Sequence, residues 1–316
     1  KTDRDGFNTT FEYDMLNNLS RIKYSDKKQV NFEYDDLNHM ISMKDWLGEN
    51  SFELDSLGRI KKLKDYKDRI LQYGWNGANE REYVIYPDGE RVDYKYDELG
   101  RIVEVSGMDE TSKYDYDILG RIKKQILPGN INIDYSYTSI NKLKGMQSVN
   151  GNETIDKREF AYDKVGNRIS SIINGEKFQC KYDNMNQLIE EVKDNNNIIK
   201  YFYDTVGNRF RVEDWMEQNT TDITEYNYDN NEHLINISGK RTNLLGNNEF
   251  LHHGIDFQYD KRGNLMKAYS GDNILAELEF DETNKLSNFI SNDGKNKNFV
   301  YDGFNIRIKV DNSDAA

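Results

Sequence analysis

Apolar and polar positions alternate along this chain with a long, nearly constant period. An apolar anchor followed by a polar residue recurs fourteen times, and ten of the thirteen steps between anchors are 20 or 21 residues. A second aromatic residue lies two positions before the anchor in twelve copies, so both side chains share one face of a predicted strand. The anchors are Tyr13, Tyr34, Leu54, Trp75, Tyr96, Tyr116, Tyr137, Tyr162, Tyr182, Tyr203, Tyr228, Tyr259, Phe280 and Tyr301. Self-similarity at a fixed period indicates one structural unit copied in tandem.

A four-residue turn follows each anchor. The next residue is Asp in twelve copies, and the residue three positions further is Gly or Asn in thirteen, as in Asp97 to Gly100. Asp at the first position and Gly at the fourth are typical of a type I turn. An Asp side chain can accept a bond from the backbone two residues on, and Gly or Asn tolerates positive φ. An aliphatic residue opens the next strand in ten copies, so each D-x-x-G predicts a hairpin.

A second set of turn residues lies near the middle of most intervals, and it includes the chain's only two prolines, Pro87 and Pro128. These mid-interval turns are predicted at 24–28, 45–50, 86–90, 106–110, 127–130, 149–153, 174–177, 193–197, 270–273 and 292–295. Two strands of roughly eight residues and two turns then fill one period. The pattern predicts an all-β array of about 28 antiparallel strands, continuous over residues 1–316.

A sheet with that many strands twists and curls, so we predict a spiralling wall with the aromatic residues on one face. Which face lines the inside is left open. Propeller blades of 40 to 50 residues and a parallel β-helix with tighter coils are alternatives that fit the period less well. The composition agrees with a wall: 36% of residues are hydrophobic, whereas 12% are aromatic. A typical globular domain has roughly 45–50% apolar residues, and disordered chains avoid aromatic ones.

The repeated unit resembles that of the RHS/YD-repeat family. The segments YDELGRI (96–102), YDILGRI (116–122), YDKVGNRI (162–169) and YDTVGNRF (203–210) match its pattern, and the resemblance extends from Phe11 to about Val310. The family includes bacterial wall-associated and secreted polymorphic toxins, B and C components of insecticidal toxin complexes, and animal teneurins. The resemblance implies a hollow β-shell, which in the toxins encloses a C-terminal effector domain.

The resemblance also implies a parent protein and partners for this chain. Toxin-bearing members usually end in a core that cleaves itself with aspartates in Asp-Pro motifs, and this chain has no Asp-Pro dipeptide. We therefore carry over no cleaving residue. The chain opens at Lys1 within the repeat pattern, so we expect a segment of a larger secreted or cell-wall-associated bacterial protein. Its expected partners are the shell, plug and effector of its own polypeptide.

Charge and composition argue against several other functions. The net charge of -13 disfavours nucleic acid, because a phosphate-binding surface needs an excess of Lys and Arg. No run of about 18 apolar residues is present, so no membrane-spanning helix is predicted. A single cysteine excludes an internal disulfide and a multi-cysteine metal site.

Few residues suggest chemistry. The repeated aspartates suit turns better than a glycosidase pair. His39 and His233 stand in a polar column and are interpreted as surface substitutions, while His252, His253 and Asp256 lack convincing zinc-ligand spacing. Cys180 replaces an aromatic residue and is interpreted as a buried thiol. Segments 194–197 and 292–295 lack the ligand series of a calcium loop.

We therefore predict no catalytic, cofactor-binding or metal-binding residues, and a non-enzymatic section of a toxin-enclosing shell. The alternative is an adhesion or carbohydrate-binding module, suggested by rows of Tyr with nearby Asp and Asn. Glycan hydrolysis is a third, weaker alternative. The longest interval contains about ten extra residues, predicted as an insertion loop at 238–255, where a specific contact would be sought first.

Overall fold

The computed structural model describes residues 1–4, 6–193, 197–216, 220–242, 248–304 and 306–314. This part of the chain contains 28 β-strands and one three-residue 3-10 turn at Pro128–Asn130, which confirms the predicted all-β array. The strands are β1 Thr9–Tyr13, β2 Leu19–Tyr24, β3 Gln29–Tyr34, β4 Met40–Lys44, β5 Glu49–Leu54, β6 Ile60–Lys64, β7 Ile70–Trp75, β8 Arg81–Ile85, β9 Arg91–Tyr96, β10 Ile102–Gly107, β11 Glu110–Tyr116, β12 Ile122–Leu127, β13 Ile131–Tyr137, β14 Leu143–Asn150, β15 Glu153–Tyr162, β16 Arg168–Ile173, β17 Glu176–Tyr182, β18 Leu188–Lys193, β19 Asn197–Tyr203, β20 Arg209–Met216, β21 Thr220–Tyr228, β22 Leu234–Thr242, β23 Asn248–Tyr259, β24 Leu265–Ser270, β25 Asn273–Phe280, β26 Leu286–Ser291, β27 Lys295–Tyr301 and β28 Arg307–Asp314.

The chain forms two compact units. Unit 1 combines Lys1–Arg91 with Ile255–Ala316, and unit 2 is Val92–Gly254. Within each unit, every described pairing joins strands that follow one another in the chain, and every one is antiparallel. This is the meander that the turn spacing predicts, because antiparallel neighbours need only a tight turn to connect them.

The strands differ in length from the predicted eight residues, since most have only five to seven. Each D-x-x-G turn also takes up the residue that follows it, because the Asp N–H donates to the carbonyl of that residue, as Asp117 does to Arg121. Among the described residues, the long intervals contain longer strands, such as β15 with ten residues and β22 with nine. β22 and β23 occupy most of the predicted insertion at 238–255, and residues 243–247 lie outside the described part.

A β-bulge lies beside the anchor in all fourteen D-x-x-G hairpins. In the β11–β12 pair, Tyr116 faces Ile122 and Asp115 faces Lys124, so Lys123 is an extra residue on the second strand. The same shift recurs next to the other anchors. Because a bulge bends its strand and increases the local right-handed twist, each repeat adds the same increment of twist.

Some strands have one half-buried face and one exposed face, and β11 is an example. In β11 the side chains of Ser112, Tyr114 and Tyr116 are half-buried, whereas the alternate residues Lys113 and Asp115 are exposed. Among the described residues, only four apolar side chains are buried: Val30, Met43, Val84 and Cys180. The fold therefore depends on neighbouring repeats rather than on a thick core, as in other repeat proteins.

The most closely packed point of unit 1 joins its two chain segments. The backbone N–H of Gly303 donates to Asp45 Oδ2 at 2.6 Å, across 258 positions of sequence. The Phe304 ring lies 6.5 Å from the rings of Phe32 and Phe52. Met43 is completely buried at the same contact, next to Gly303. The turn that follows Tyr301 thus docks on strands β3 to β5.

Candidate functional site

The D-x-x-G turn is a capped structure, and Asp117 is representative. Its Oδ1 accepts from the N–H groups of Leu119 at 2.9 Å and Arg121 at 3.1 Å. The Asp117 N–H donates to the Arg121 carbonyl, and the Gly120 N–H donates to the Asp117 carbonyl, both at 2.9 Å. Gly120 has φ of 79°, in the left-handed region that favours glycine. The predicted role of Asp is confirmed, and a second bond, to the residue four positions on, is added.

The same cap recurs in the other repeats. Side-chain acceptors at this position that bond the residue four positions on are Asp14, Asp35, Asp55, Asn76, Asp97, Thr138, Asp163, Asp183, Asp204, Asp229, Asp260, Asp281 and Asp302. Even Glu232, which breaks the Gly/Asn column, adopts φ of 65°. Each cap satisfies turn amides that no strand partner could reach, which is why the sequence repeats Asp.

Two further turns of this kind were missed by the sequence pattern. Asp3 to Gly6 forms one, with the Phe7 N–H donating to Asp3 Oδ1 at 2.9 Å. Asp65 to Asp68 forms the other, where Asp68 takes φ of 59°. Neither follows an aromatic anchor at the regular spacing. The signal that could have found them is the Asp at the first turn position.

In several repeats, the residue after the turn Gly or Asn connects one turn to the next. Arg121 Nε donates to Asp117 Oδ2 at 2.7 Å, and Arg121 Nη1 donates to Asn141 Oδ1 of the following turn at 2.9 Å. Its guanidinium also lies 4.2 Å from the ring centre of Tyr137, the next anchor. Asn167 makes the same two hydrogen bonds, to Asp163 and Asn186. The sequence alone predicts only that this position is polar, because the residue that it contacts in the next turn lies about twenty positions further along the chain.

The anchor side chain supplies a second connection between repeats. The Tyr137 hydroxyl donates to the carbonyl of Ile122 at 2.8 Å. Ile122 is the first residue of β12, the strand that follows the preceding D-x-x-G turn. Equivalent bonds are made by Tyr34, Trp75, Tyr116, Tyr162, Tyr182, Tyr203 and Tyr228. These donors satisfy carbonyls where adjacent hairpins diverge near the turn. The connection explains why the anchor is usually Tyr and not Phe.

Removing one such hydroxyl has a defined expected cost. We expect Tyr137→Phe to lower the free energy of unfolding by about 1 kcal/mol, since a half-buried carbonyl loses its partner and the ring remains. Tyr13→Phe is the matched control, because this first anchor is 58% exposed. Urea denaturation of both variants measures the difference. Equal effects of the two substitutions would contradict the assigned bond.

Hydrogen bonds from Arg side chains hold several turn carboxylates in their charged form. The side-chain hydrogen bond from Arg121 lowers the pKa of Asp117, and Arg59 and Arg101 lower the pKa of Asp55 and Asp97 in the same way. A folded-state pKa below the unfolded value contributes stability above the unfolded value, which lies near pH 4. That contribution is lost as the pH falls through the lower folded-state pKa.

This linkage predicts a pH-dependent substitution effect. Asp117→Asn keeps a capping oxygen, as Asn76 does in its own turn, but loses the charge opposite Arg121. We expect a slightly lower Tm than that of the unsubstituted protein at pH 7, and a difference that disappears as the pH falls through the lowered pKa of Asp117. Thermal unfolding followed by circular dichroism from pH 2 to 7 measures it. A Tm difference that stays constant over this range would exclude the charge contribution.

The histidine candidates have a role that the sequence did not indicate. His39 and His233 place Nδ1 at 3.1 Å from Asp35 Oδ2 and Asp229 Oδ2, in the position that Arg121 occupies in its turn. They are therefore part of the turn contact and not simply surface substitutions. The side chains of His252 and His253 lie outside the described part. In that part, no three or more His, Cys, Asp or Glu side chains are grouped to hold a metal ion.

The remaining candidates also have structural environments. Cys180 is buried, and that burial raises the pKa of its thiol, whereas a nucleophilic cysteine needs a lowered pKa. In the segment 292–295, Lys295 lowers the pKa of Asp293 to about 2. Asp293 also accepts from Ser291, so its carboxylate is engaged by protein donors. Residues 194–196, in the other calcium-like segment, lie outside the described part.

Across the described strands and turns, no helix has the length and apolarity to cross a membrane.

Comparison with known proteins gives consistent matches. A family model described as teneurin YD-shell matches residues 90–245 and 129–310. The chain is 22% identical over 281 residues to double-stranded DNA deaminase toxin A of Burkholderia cenocepacia, covering 82% of this chain and 18% of that protein. It is 23% identical over 225 residues to tRNA nuclease WapA of Bacillus subtilis, covering 68% of this chain and 9% of that protein. The chain thus spans less than a fifth of the length of these relatives.

A solved structure shares the fold. The crystal structure of TcdB2-TccC3 without its hypervariable C-terminal region matches 98% of this chain and 22% of that chain, with a TM-score of 0.59 and 12% sequence identity. At this identity the likeness concerns the backbone arrangement of the repeats. It agrees with the hairpin array.

Proposed function

The chain belongs to the teneurin YD-shell family, and we propose that it is a non-enzymatic section of a shell wall enclosing a C-terminal toxin or effector. The parent would be a secreted or cell-surface bacterial protein. The observation that carries the proposal is the recurring series of capped hairpins, several of which bond the next one through an Arg or Asn side chain or through the anchor side chain. Such a series builds a barrier.

The names of the relatives support a toxin context. The two matched proteins are described as a DNA deaminase toxin and a tRNA nuclease, and each extends far beyond the matched part. We assign those activities to regions other than this repeat array. The charge of -13 also makes the array unsuited to bind a nucleic-acid substrate itself.

The wall suits enclosure for a physical reason. Polar turn edges and thin, two-sided strands separate two aqueous spaces without requiring a solid core. A folded or partly folded segment inside such a wall would be kept from proteases and from its target. The partners of this chain would therefore be other parts of its own polypeptide.

The carbohydrate-binding alternative is less well supported by the anchor geometry. Sugar-binding sites commonly present an open aromatic face with polar groups around it. Here the Tyr116 and Tyr137 rings each have a guanidinium within 4.5 Å of the ring centre, and their hydroxyls donate to backbone carbonyls. We therefore do not propose glycan binding as the function of the Tyr rows.

Limited proteolysis of the full-length parent protein tests the enclosure. We expect the segment that follows the repeats to resist cleavage in the intact protein and to be cut rapidly when produced alone. Cleavage at the same rate in both forms would overturn the proposal. A glycan array run on the same protein distinguishes the alternative, since specific binding without protease protection would favour an adhesion module.

A further inference from the structure

Successive D-x-x-G turns contact each other at one fixed pair of positions. The residue after one turn reaches the fourth residue of the next turn, and we call this contact the junction. Where the fourth residue is Asn, its Oδ1 accepts a hydrogen bond across the junction. The five donors and their acceptors are Asn18 and Asn38, Arg59 and Asn79, Arg121 and Asn141, Asn167 and Asn186, and Asn264 and Asn284. Asn at this position is thus an acceptor for the preceding repeat.

Where the fourth residue is Gly, the side chain of the preceding repeat fills the junction. In three junctions its nearest atom lies where a Cβ on the Gly would meet it, at 2.5, 3.1 and 3.2 Å. The side chains and their Gly are, in that order, His39 and Gly58, Lys142 and Gly166, and Gln187 and Gly207. In these junctions Gly supplies room for the neighbour as well as its positive φ.

The turn itself does not require Gly in preference to Asn. Gly58 has φ of 76°, Asn38 in the preceding turn has φ of 65°, and both turns carry the same Asp cap. Both residue types tolerate this backbone. The two turns differ in the side chain that reaches them from the preceding repeat, which is Asn18 for Asn38 and His39 for Gly58. The choice between Gly and Asn therefore follows the neighbour.

The junction between Arg101 and Gly120 combines a suitable donor with free space. Arg101 Nε donates to Asp97 Oδ2 at 2.7 Å, and its guanidinium carbon lies 4.5 Å from the ring centre of Tyr116. Arg121 has the same two kinds of contact in the next turn. A Cβ at Gly120 would lie 3.7 Å from Arg101 Nη1, which is an ordinary contact distance. An Asn side chain would therefore fit at this junction.

We propose that the fourth turn residue is the position through which a repeat recognises the repeat before it. Asn accepts a repeat whose turn is followed by Arg or Asn, because these side chains can donate across the junction. Gly accepts a repeat whose turn is followed by a side chain that fills the junction, such as His, Lys or Gln. Among the described turns that follow an anchor, only Glu232 belongs to neither class. Repeats of the wall are then not interchangeable, whatever the wall encloses.

The same substitution at two turns tests this recognition. We expect Gly58→Asn to lower the Tm by about 3 °C or more, because the added side chain overlaps the ring of His39. Gly120→Asn is the matched control, since Gly120 has a similar φ of 79°. We expect its Tm to be unchanged or higher, because Arg101 gains an acceptor. Thermal unfolding followed by circular dichroism measures both, and equal losses of Tm would overturn the proposal.

A change of the preceding residue tests the pairing itself. In a chain that carries His39→Arg, we expect Gly58→Asn to lower the Tm by less than about 1 °C, because Arg can donate to the added Asn as it does at other junctions. The amides of Leu57 and Arg59 in this turn should exchange at least about tenfold faster in Gly58→Asn than in the double variant. If Gly58→Asn costs the same with and without His39→Arg, the turn alone requires Gly, and recognition between repeats is rejected.

Discussion

Met43→Ala is expected to lower the free energy of unfolding by about 2–5 kcal/mol, the range for truncating a buried Met. Met43 is 0% exposed, and it lies where the turn at Gly303 docks on β3 to β5. Removal of its thioether leaves a cavity beneath that turn, and the neighbouring strands cannot close it without losing their pairing. Urea denaturation monitored by tryptophan fluorescence measures the change.

A matched substitution separates this effect from a general loss of methionine. Met185→Ala is the control, because Met185 is 69% exposed in a D-x-x-G turn, and its expected change is within about 0.5 kcal/mol. Hydrogen exchange should also show faster exchange of the Gly303 amide in Met43→Ala only. Equal destabilisation by the two substitutions would show that the contact between the two segments of unit 1 contributes little.

Gly303→Ala is expected to cost about 1–3 kcal/mol through overpacking. A Cβ at this position would lie 2.9 Å from Val30 Cγ1 and 3.1 Å from Met43 Sδ, and neither atom can move away in a fully buried site. The added methyl group would displace the turn and lengthen the hydrogen bond from Gly303 to Asp45. Thermal and urea unfolding measure the loss.

The chain contains a close control for this substitution. Gly77 occupies the same position of the turn after Trp75, but a Cβ there would have no atom within 4 Å. We expect Gly77→Ala to be neutral or slightly stabilising, because it only restricts the unfolded chain. The cost of Gly303→Ala should also shrink when Met43 is Ala, since the two sites share one space. Additive effects would contradict the assigned packing.

The comparison of Gly77 with Gly303 shows what could be predicted from the sequence. The period, the turn type and the capping role of Asp follow from local rules, because each depends on residues within one hairpin. The 28 strands and their order follow from the same rules. Gly77 and Gly303, however, have the same local pattern and different surroundings. Only the contact with strands 258 residues away distinguishes them, and no local rule contains that information.

The hydrogen bonds between repeats could be predicted from the sequence only in part. Arg121 contacts its own turn, which spacing could have indicated, but it also bonds Asn141 twenty residues later. The sequence shows Arg or Asn after the turn Gly, and Asn in the next turn, as two separate repeating positions. That these two side chains bond each other follows only from the distance between adjacent turns, which the structure supplies. The strands are shorter than predicted because each turn also takes up the residue after its Gly or Asn.

Hydrogen exchange of the turn amides tests most directly whether the Asp-capped hairpin is the repeated unit. The account predicts slow exchange at the second and fourth residues after each turn Asp, such as Leu119 and Arg121 after Asp117. In Asp117→Ala, these two amides should exchange at least about tenfold faster, while amides in distant repeats keep their rates. Turn amides that exchange as fast as in an unfolded peptide, in the protein without substitutions, would contradict the capped hairpin and the wall built from it.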